Sequence, residues 1–196
     1  MKIRELKIFT KIAKGVCLGQ GIGLVVAMAD AVAEPDRIHD TARHSFREEL
    51  VASGLEIPWG LAFLPDGRLL VTEKVGRLGI VTLGDITIAP VKGLPPVESV
   101  GQGGLLDVAL HPDYEATGWI YFAYTEPKQD AAGERMAHTV IARARLAGDH
   151  VQHFELIYQA EQKFYRKNSN HVGSRMVFDN EGYLYFSIGD RSQRDS

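Results

Sequence analysis

Trp59-Gly-Leu-Ala-Phe-Leu-Pro65-Asp66-Gly67-Arg-Leu-Leu-Val-Thr-Glu73 sets two apolar runs on either side of Pro-Asp-Gly. Proline presets one turn dihedral, aspartate can hydrogen-bond the turn backbone, and glycine accepts positive φ. The stretch therefore predicts a β-hairpin. The phrase returns twice. Leu105-Leu-Asp-Val-Ala-Leu110 leads into His111-Pro112-Asp113-Tyr114 and then Gly118-Trp-Ile-Tyr-Phe-Ala-Tyr124. The third copy is Ser169-Asn170-His171-Val172-Gly173-Ser174-Arg175-Met176-Val177-Phe178, which turns through Asp179-Asn180-Glu181-Gly182 and returns over residues 183–190. Aligned on Pro65, Pro112 and Asp179, the copies stand 47 and 67 residues apart, near the length of a propeller blade plus a loop.

Between the copies the chain keeps the same habit. Residues 76–83 predict another strand, turning at Gly84-Asp85 into residues 86–89. Residues 138–146 alternate as a strand does, and Gly148-Asp149 turns them into residues 151–158. No sustained helical period follows residue 55. Ser45–Leu55 fits either a strand or a short helix. Repeated short antiparallel strands leave a sandwich, a barrel or a propeller. The recurring phrase favours the propeller, whose blades bury their faces against their neighbours.

The N-terminus reads as an export signal over residues 1–33. Lys2, Arg4, Lys7, Lys11 and Lys14 form a basic region, an apolar run covers residues 15–28, and Ala31-Val32-Ala33 has the small–x–small form that signal peptidase accepts. The run is short, is interrupted by Gln20, and ends at Asp30, so it makes a poor permanent membrane span. Residues 34–44 are polar and without a period, as in a mobile leader. Residues 1–33 carry five basic and two acidic side chains, so removing them takes the net charge from −3 to −6. That balance disfavours nucleic acid as a partner. Cys17, the single cysteine, lies inside the signal. The mature chain then has no thiol for a disulfide, a metal site or a nucleophile.

Among polar residues, His171 stands out, in a polar loop at the mouth of a strand. An imidazole there suits proton transfer near neutral pH, and a loop histidine without a role is the competing account. Asp66, Asp113 and Asp179 fit turns better than calcium, since no dense run of oxygen ligands accompanies them. His111 precedes Pro112 and reads as structural. His150 and His153 flank a hairpin turn on a strand, so His-x-x-His does not form one helical face and no metal site is assigned.

Three segments together resemble the glucose/sorbosone dehydrogenase family, the soluble quinoprotein sugar dehydrogenases. They are residues 58–73, residues 101–114 (Gly-Gln-Gly-Gly-Leu-Leu-Asp-Val-Ala-Leu-His-Pro-Asp-Tyr) and residues 170–190. The resemblance runs from Ser45 to the last residue and implies an all-β fold, a six-bladed β-propeller of which this chain holds about the first three blades. It implies export to the periplasm or medium, pyrroloquinoline quinone (PQQ) over the central channel, and calcium ions that bind the cofactor and support a homodimer. His171 falls on the family's catalytic histidine, which accepts the proton of a sugar's anomeric hydroxyl as hydride passes to the quinone. Gln102 falls on a glutamine that faces the sugar. Asn170 stands where the glucose enzyme carries an aspartate, which fits the broader aldose branch.

The groups that grip the quinone and its calcium come, in the family, mostly from later blades, and none is matched here. The expectation is thus an N-terminal portion of an exported PQQ-dependent aldose dehydrogenase, inactive by itself, which in full length yields lactones and passes electrons to an acceptor. Two alternatives stand beside it: a non-catalytic propeller that binds a protein or carbohydrate, and a calcium-dependent lactonase-type hydrolase, which would need converging carboxylates.

Overall fold

The structure, a computed structural model, describes residues 4–11, 37–85 and 87–192. The apolar run, Cys17 and Ala31-Val32-Ala33 of the expected signal lie outside these residues, as does Ile86. Three strands come first: β1 (Arg4–Lys11), β2 (Arg37–Asp40) and β3 (Ser45–Leu55). They pair antiparallel in the order β1-β3-β2. Ser45–Leu55 is therefore strand, and residues 37–40, within the expected leader, pair with it.

The opening hairpin forms as its turn residues require. Gly67 takes φ +86, its N–H donates to the Leu64 carbonyl at 2.9 Å, and Arg68 N–H donates to Asp66 Oδ1 at 3.1 Å. It joins β4 (Pro58–Phe63) to β5 (Leu69–Glu73), and β6 (Arg77–Val81) and β7 (Ile88–Val91) complete a four-stranded antiparallel sheet in chain order. A second such sheet follows: β8 (Leu105–Leu110), β9 (Trp119–Gln129), β10 (Arg135–Ala147) and β11 (His150–Tyr158). Here Pro112-Asp113 opens not a tight turn but a single helical turn, α1 (Tyr114–Thr117), closed by Gly118 in the left-handed region. β12 (Gly173–Phe178) and β13 (Leu184–Ile188) make a third hairpin. Its turn is held by Asp179 Oδ1, which accepts from the N–H groups of Glu181 and Tyr183, each at 2.9 Å. The described residues thus form a three-stranded sheet, two four-stranded blades and a two-stranded hairpin.

The inner strands of each blade are buried on both faces. Along β9, Ile120, Phe122 and Tyr124 pack toward the first blade, with Leu70, Leu78 and Ile80. The alternate residues Trp119, Tyr121 and Ala123 pack toward the third hairpin, with Val172 and Met176. Likewise Leu69 and Val71 of β5 pack with Val51, Ala52 and Leu55 of β3. Period-two alternation with both sides covered explains why these strands read as unbroken apolar runs. Buried threonines tie neighbouring blades. Thr72 Oγ1 donates to the Leu106 carbonyl, and Thr139 Oγ1 donates to that of Val172 at 2.7 Å. The buried Asp107 carboxylate of β8 accepts from Met176 N–H at 2.8 Å and Arg175 Nη1 at 3.0 Å.

His138 is buried in β10. Burial pushes its pKa below the ordinary 6.5, the bond to the Thr139 carbonyl opposes that, and Arg191 and Arg166 reinforce it. The unfolded chain then binds this proton more readily than the folded one. The contribution of His138 to stability is present above its ordinary pKa and is lost as pH falls through that value toward the lowered one. His138→Phe should flatten the stability loss between about pH 7 and pH 5, followed by urea unfolding at each pH. Phe122→Ala should lower the unfolding free energy by about 3–5 kcal/mol, seen as an earlier urea midpoint at unchanged slope.

Candidate active site

The third hairpin places its entry and its exit side by side. Gly173 pairs with Ile188, so the loop before β12 lies against the residues after β13. Contact there is backbone on backbone. A Cβ on Gly173 would sit 2.7 Å from Gly189 N and 2.8 Å from the Ser187 carbonyl oxygen. A Cβ on Gly189 would overlap the His171 carbonyl. Only glycine fits at either point.

His171 takes φ +47, a left-handed conformation that histidine enters more readily than most residues. Its Nδ1 meets Asp190 Oδ1 at 2.6 Å. A carboxylate can only accept, so in the neutral ring Nδ1 carries the hydrogen and Nε2 keeps its lone pair. Asp190 is held in turn: its Oδ1 also accepts Ser192 N–H at 2.9 Å. The histidine and aspartate side chains are 52% and 44% exposed, which leaves the ring open to a small molecule.

Gln102 and His171, 69 residues apart in the chain, are in contact. Gln102 Oε1 accepts the His171 main-chain N–H at 2.7 Å, and Gln102 N–H donates to the Ser169 carbonyl at 2.9 Å. The side-chain oxygen therefore holds the loop, and the amide nitrogen is left to donate. Gly101, at φ +60, sits under Asn170; a Cβ there would be 3.4 Å from Asn170 Oδ1. Asn170 borders the histidine through the chain rather than through a described side-chain bond to it. Asp190 was not singled out by sequence reasoning, although hairpin pairing carries the signal: an acid just past the second strand must face a histidine just before the first.

The remaining polar candidates take structural places. His111 stacks on Tyr121 with ring centroids 6.1 Å apart, and its Nδ1 accepts Asp113 N–H at 3.0 Å. His150 pairs with Asp149 at 2.5 Å. Among the described residues no group of three or more His, Cys, Asp or Glu is set to hold a metal. A cofactor rich in carboxylates would need free cations, and the nearby arginines are engaged: Arg175 by Asp107, and Arg191 by main-chain carbonyls. A cavity of about 220 Å³ lies beside the loop, against Glu98, Arg135 and Ser169, and His171 is outside it. The described site is thus an exposed imidazole held in one orientation.

The family model described as Glucose / Sorbosone dehydrogenase matches residues 55–196. The aldose sugar dehydrogenase YliI of Escherichia coli (strain K12) is 38% identical over 149 residues, covering 74% of this chain and 38% of that protein. The crystal structure of the soluble aldose sugar dehydrogenase from Escherichia coli in the apo-form superposes with a TM-score of 0.66 at 36% identity, over 74% of this chain and 41% of that one. The PQQ-bound form of aldose sugar dehydrogenase from Streptomyces coelicolor gives 0.60 at 28% identity, over 72% and 40%. The chain spans about two-fifths of the length of these relatives.

Gly189→Ala should push the His171 carbonyl aside and speed hydrogen exchange of the His171 amide by on the order of tenfold or more. Gly133→Ala, at a left-handed but open turn, should leave that amide unchanged. Equal rates in both variants would show that the loop does not depend on the glycine contact.

Proposed function

The chain belongs to the glucose/sorbosone dehydrogenase family, and we propose that it carries the proton-accepting part of an exported, PQQ-dependent oxidation of aldose sugars to lactones. The observation that carries the proposal is the His171–Asp190 pair, with Nδ1 engaged and Nε2 free. In this role Nε2 accepts the proton of the anomeric hydroxyl, and Asp190 fixes the tautomer and steadies the charged ring. The Gln102 amide nitrogen, with Asn170 beside it, donates to sugar hydroxyls. PQQ, when bound, supplies the two-electron acceptor to which the hydride passes.

The described residues do not fit as the cofactor's grip, because the arginines nearest the base are engaged and no metal cluster is present among them. Under this proposal PQQ and calcium are held by groups other than these, and the described residues by themselves do not make a working dehydrogenase. Homodimer formation and transfer to an electron acceptor are properties of the whole enzyme under this proposal. Export rests on the basic, apolar and small-residue succession of residues 1–33. Cleavage after Ala33 would remove β1 and free that edge of β3.

The proposal is tested by transplanting residues 45–196 into the aldose sugar dehydrogenase of Escherichia coli in place of the matching segment. With PQQ and calcium, the transplant should reduce dye in an aldose-dependent way, and the unmodified chain should not. His171→Ala in the transplant should cut kcat by about 10²–10⁴-fold. A folded transplant that binds PQQ yet oxidises no aldose, or one indifferent to His171→Ala, would sink it.

A further inference from the structure

The loop that carries His171 has four consecutive main-chain carbonyls, and all four are bonded. That of Ser169 accepts Gln102 N–H at 2.9 Å. The other three converge on one residue. Arg191 donates from Nη2 to the Asn168 carbonyl at 2.7 Å, from Nε to the Asn170 carbonyl at 3.2 Å, and from its main-chain N–H to the His171 carbonyl at 3.3 Å. Its remaining described bond runs from Nη1 to the Ala137 carbonyl of β10 at 3.2 Å, which anchors the loop to the second blade.

Arg191 is 4% exposed, and its side-chain hydrogen bonds among the described residues all go to carbonyls. A buried cation held only by neutral acceptors is an expensive device. Burial and the nearby Arg166 both work against its charge. Its use has a geometric reason. Three carbonyls from two segments are met by one side chain, and guanidinium is the side chain whose fixed fork of donors can meet them together. The backbone is bent to the task, with Arg191 at φ +55.

We infer that Arg191 is a positioning residue for His171: Asp190 holds the ring, Arg191 holds the backbone beneath it, and this dipeptide fixes both ends of the base. Arg191 touches no sugar and acts through the loop. The catalytic meaning of this role rests on the proposed function; the positioning itself does not.

The test uses this chain labelled with ¹⁵N. Ring signals of His171 in the unsubstituted chain should report one tautomer, with hydrogen on Nδ1. Arg191→Lys keeps the charge and the main-chain N–H but offers one ammonium for three carbonyls. It should stay folded, mix the two tautomers, and speed exchange of the His171 amide by on the order of tenfold. Arg191→Ala should do the same, with methylguanidinium restoring the ring signals and methylammonium failing to. In the transplanted enzyme, Arg191→Lys should lower kcat on the order of 10²-fold with KM nearly unchanged. The inference is overturned if Arg191→Lys keeps the original ring signals and amide exchange, if it fails to fold, or if methylammonium rescues equally. A transplant that oxidises no aldose while Arg191→Lys still mixes the tautomers defeats the proposed function and leaves the positioning role standing.

Discussion

The inner strands of the two four-stranded sheets have to be covered on both faces, and the rest of the structure follows from that demand. Phe122 and Tyr121 are adjacent in β9 and serve different cores, one toward the first blade and one toward the third hairpin. A register slip of a single residue would exchange the two sets and ruin both interfaces at once. Packing therefore fixes the spacing of the blades, and the buried threonine and aspartate links fix their offset. The candidate site inherits this precision, because its loop enters the third hairpin directly from the second interface, where Val172 is 2% exposed.

At the site itself the important contacts are between main chains. Gly173 and Gly189 let the entry and the exit of the hairpin touch, and that closeness brings Asp190 within bonding distance of the His171 ring. Side chains then complete what the backbone begins. Gln102 reaches across from the loop before β8 to take the His171 N–H, so the histidine is pinned by the second blade as well as by its own hairpin. Under the proposed function, an imidazole held in this way would lose little orientation when a sugar binds, as an effective general base requires.

Much of this is legible in the residues. Pro65-Asp66-Gly67 and Asp179-Asn180-Glu181-Gly182 announce their hairpins through local turn chemistry, and the structure turns where they say. The pairing of Gln102 with His171 was reachable through family resemblance, although the glutamine's hold on the loop backbone was not, since that depends on where the loop's N–H points. Asp190 escaped notice because its role comes from strand register. α1 escaped because His111-Pro112-Asp113 looks locally like the other turns, and the helical turn is closed by Gly118 further on. Residues 37–40 show no period of their own, because a strand of four residues is specified by its partner β3 rather than by its own side chains.

The stacking of hairpins in chain order also bears on how the protein is made. Each four-stranded sheet packs on the one that precedes it and on the one that follows it, so each of these cores can close as soon as the covering stretch of chain leaves the ribosome. Assembly in such a molecule is a vectorial growth process, with each finished blade acting as the mould for its successor. The face of β9 that carries Trp119 and Tyr121 is covered by Val172 and Met176 of the third hairpin. During synthesis such a face is adhesive until the strands that cover it are delivered. Translation speed along the repeats thus becomes part of the physical chemistry of the fold.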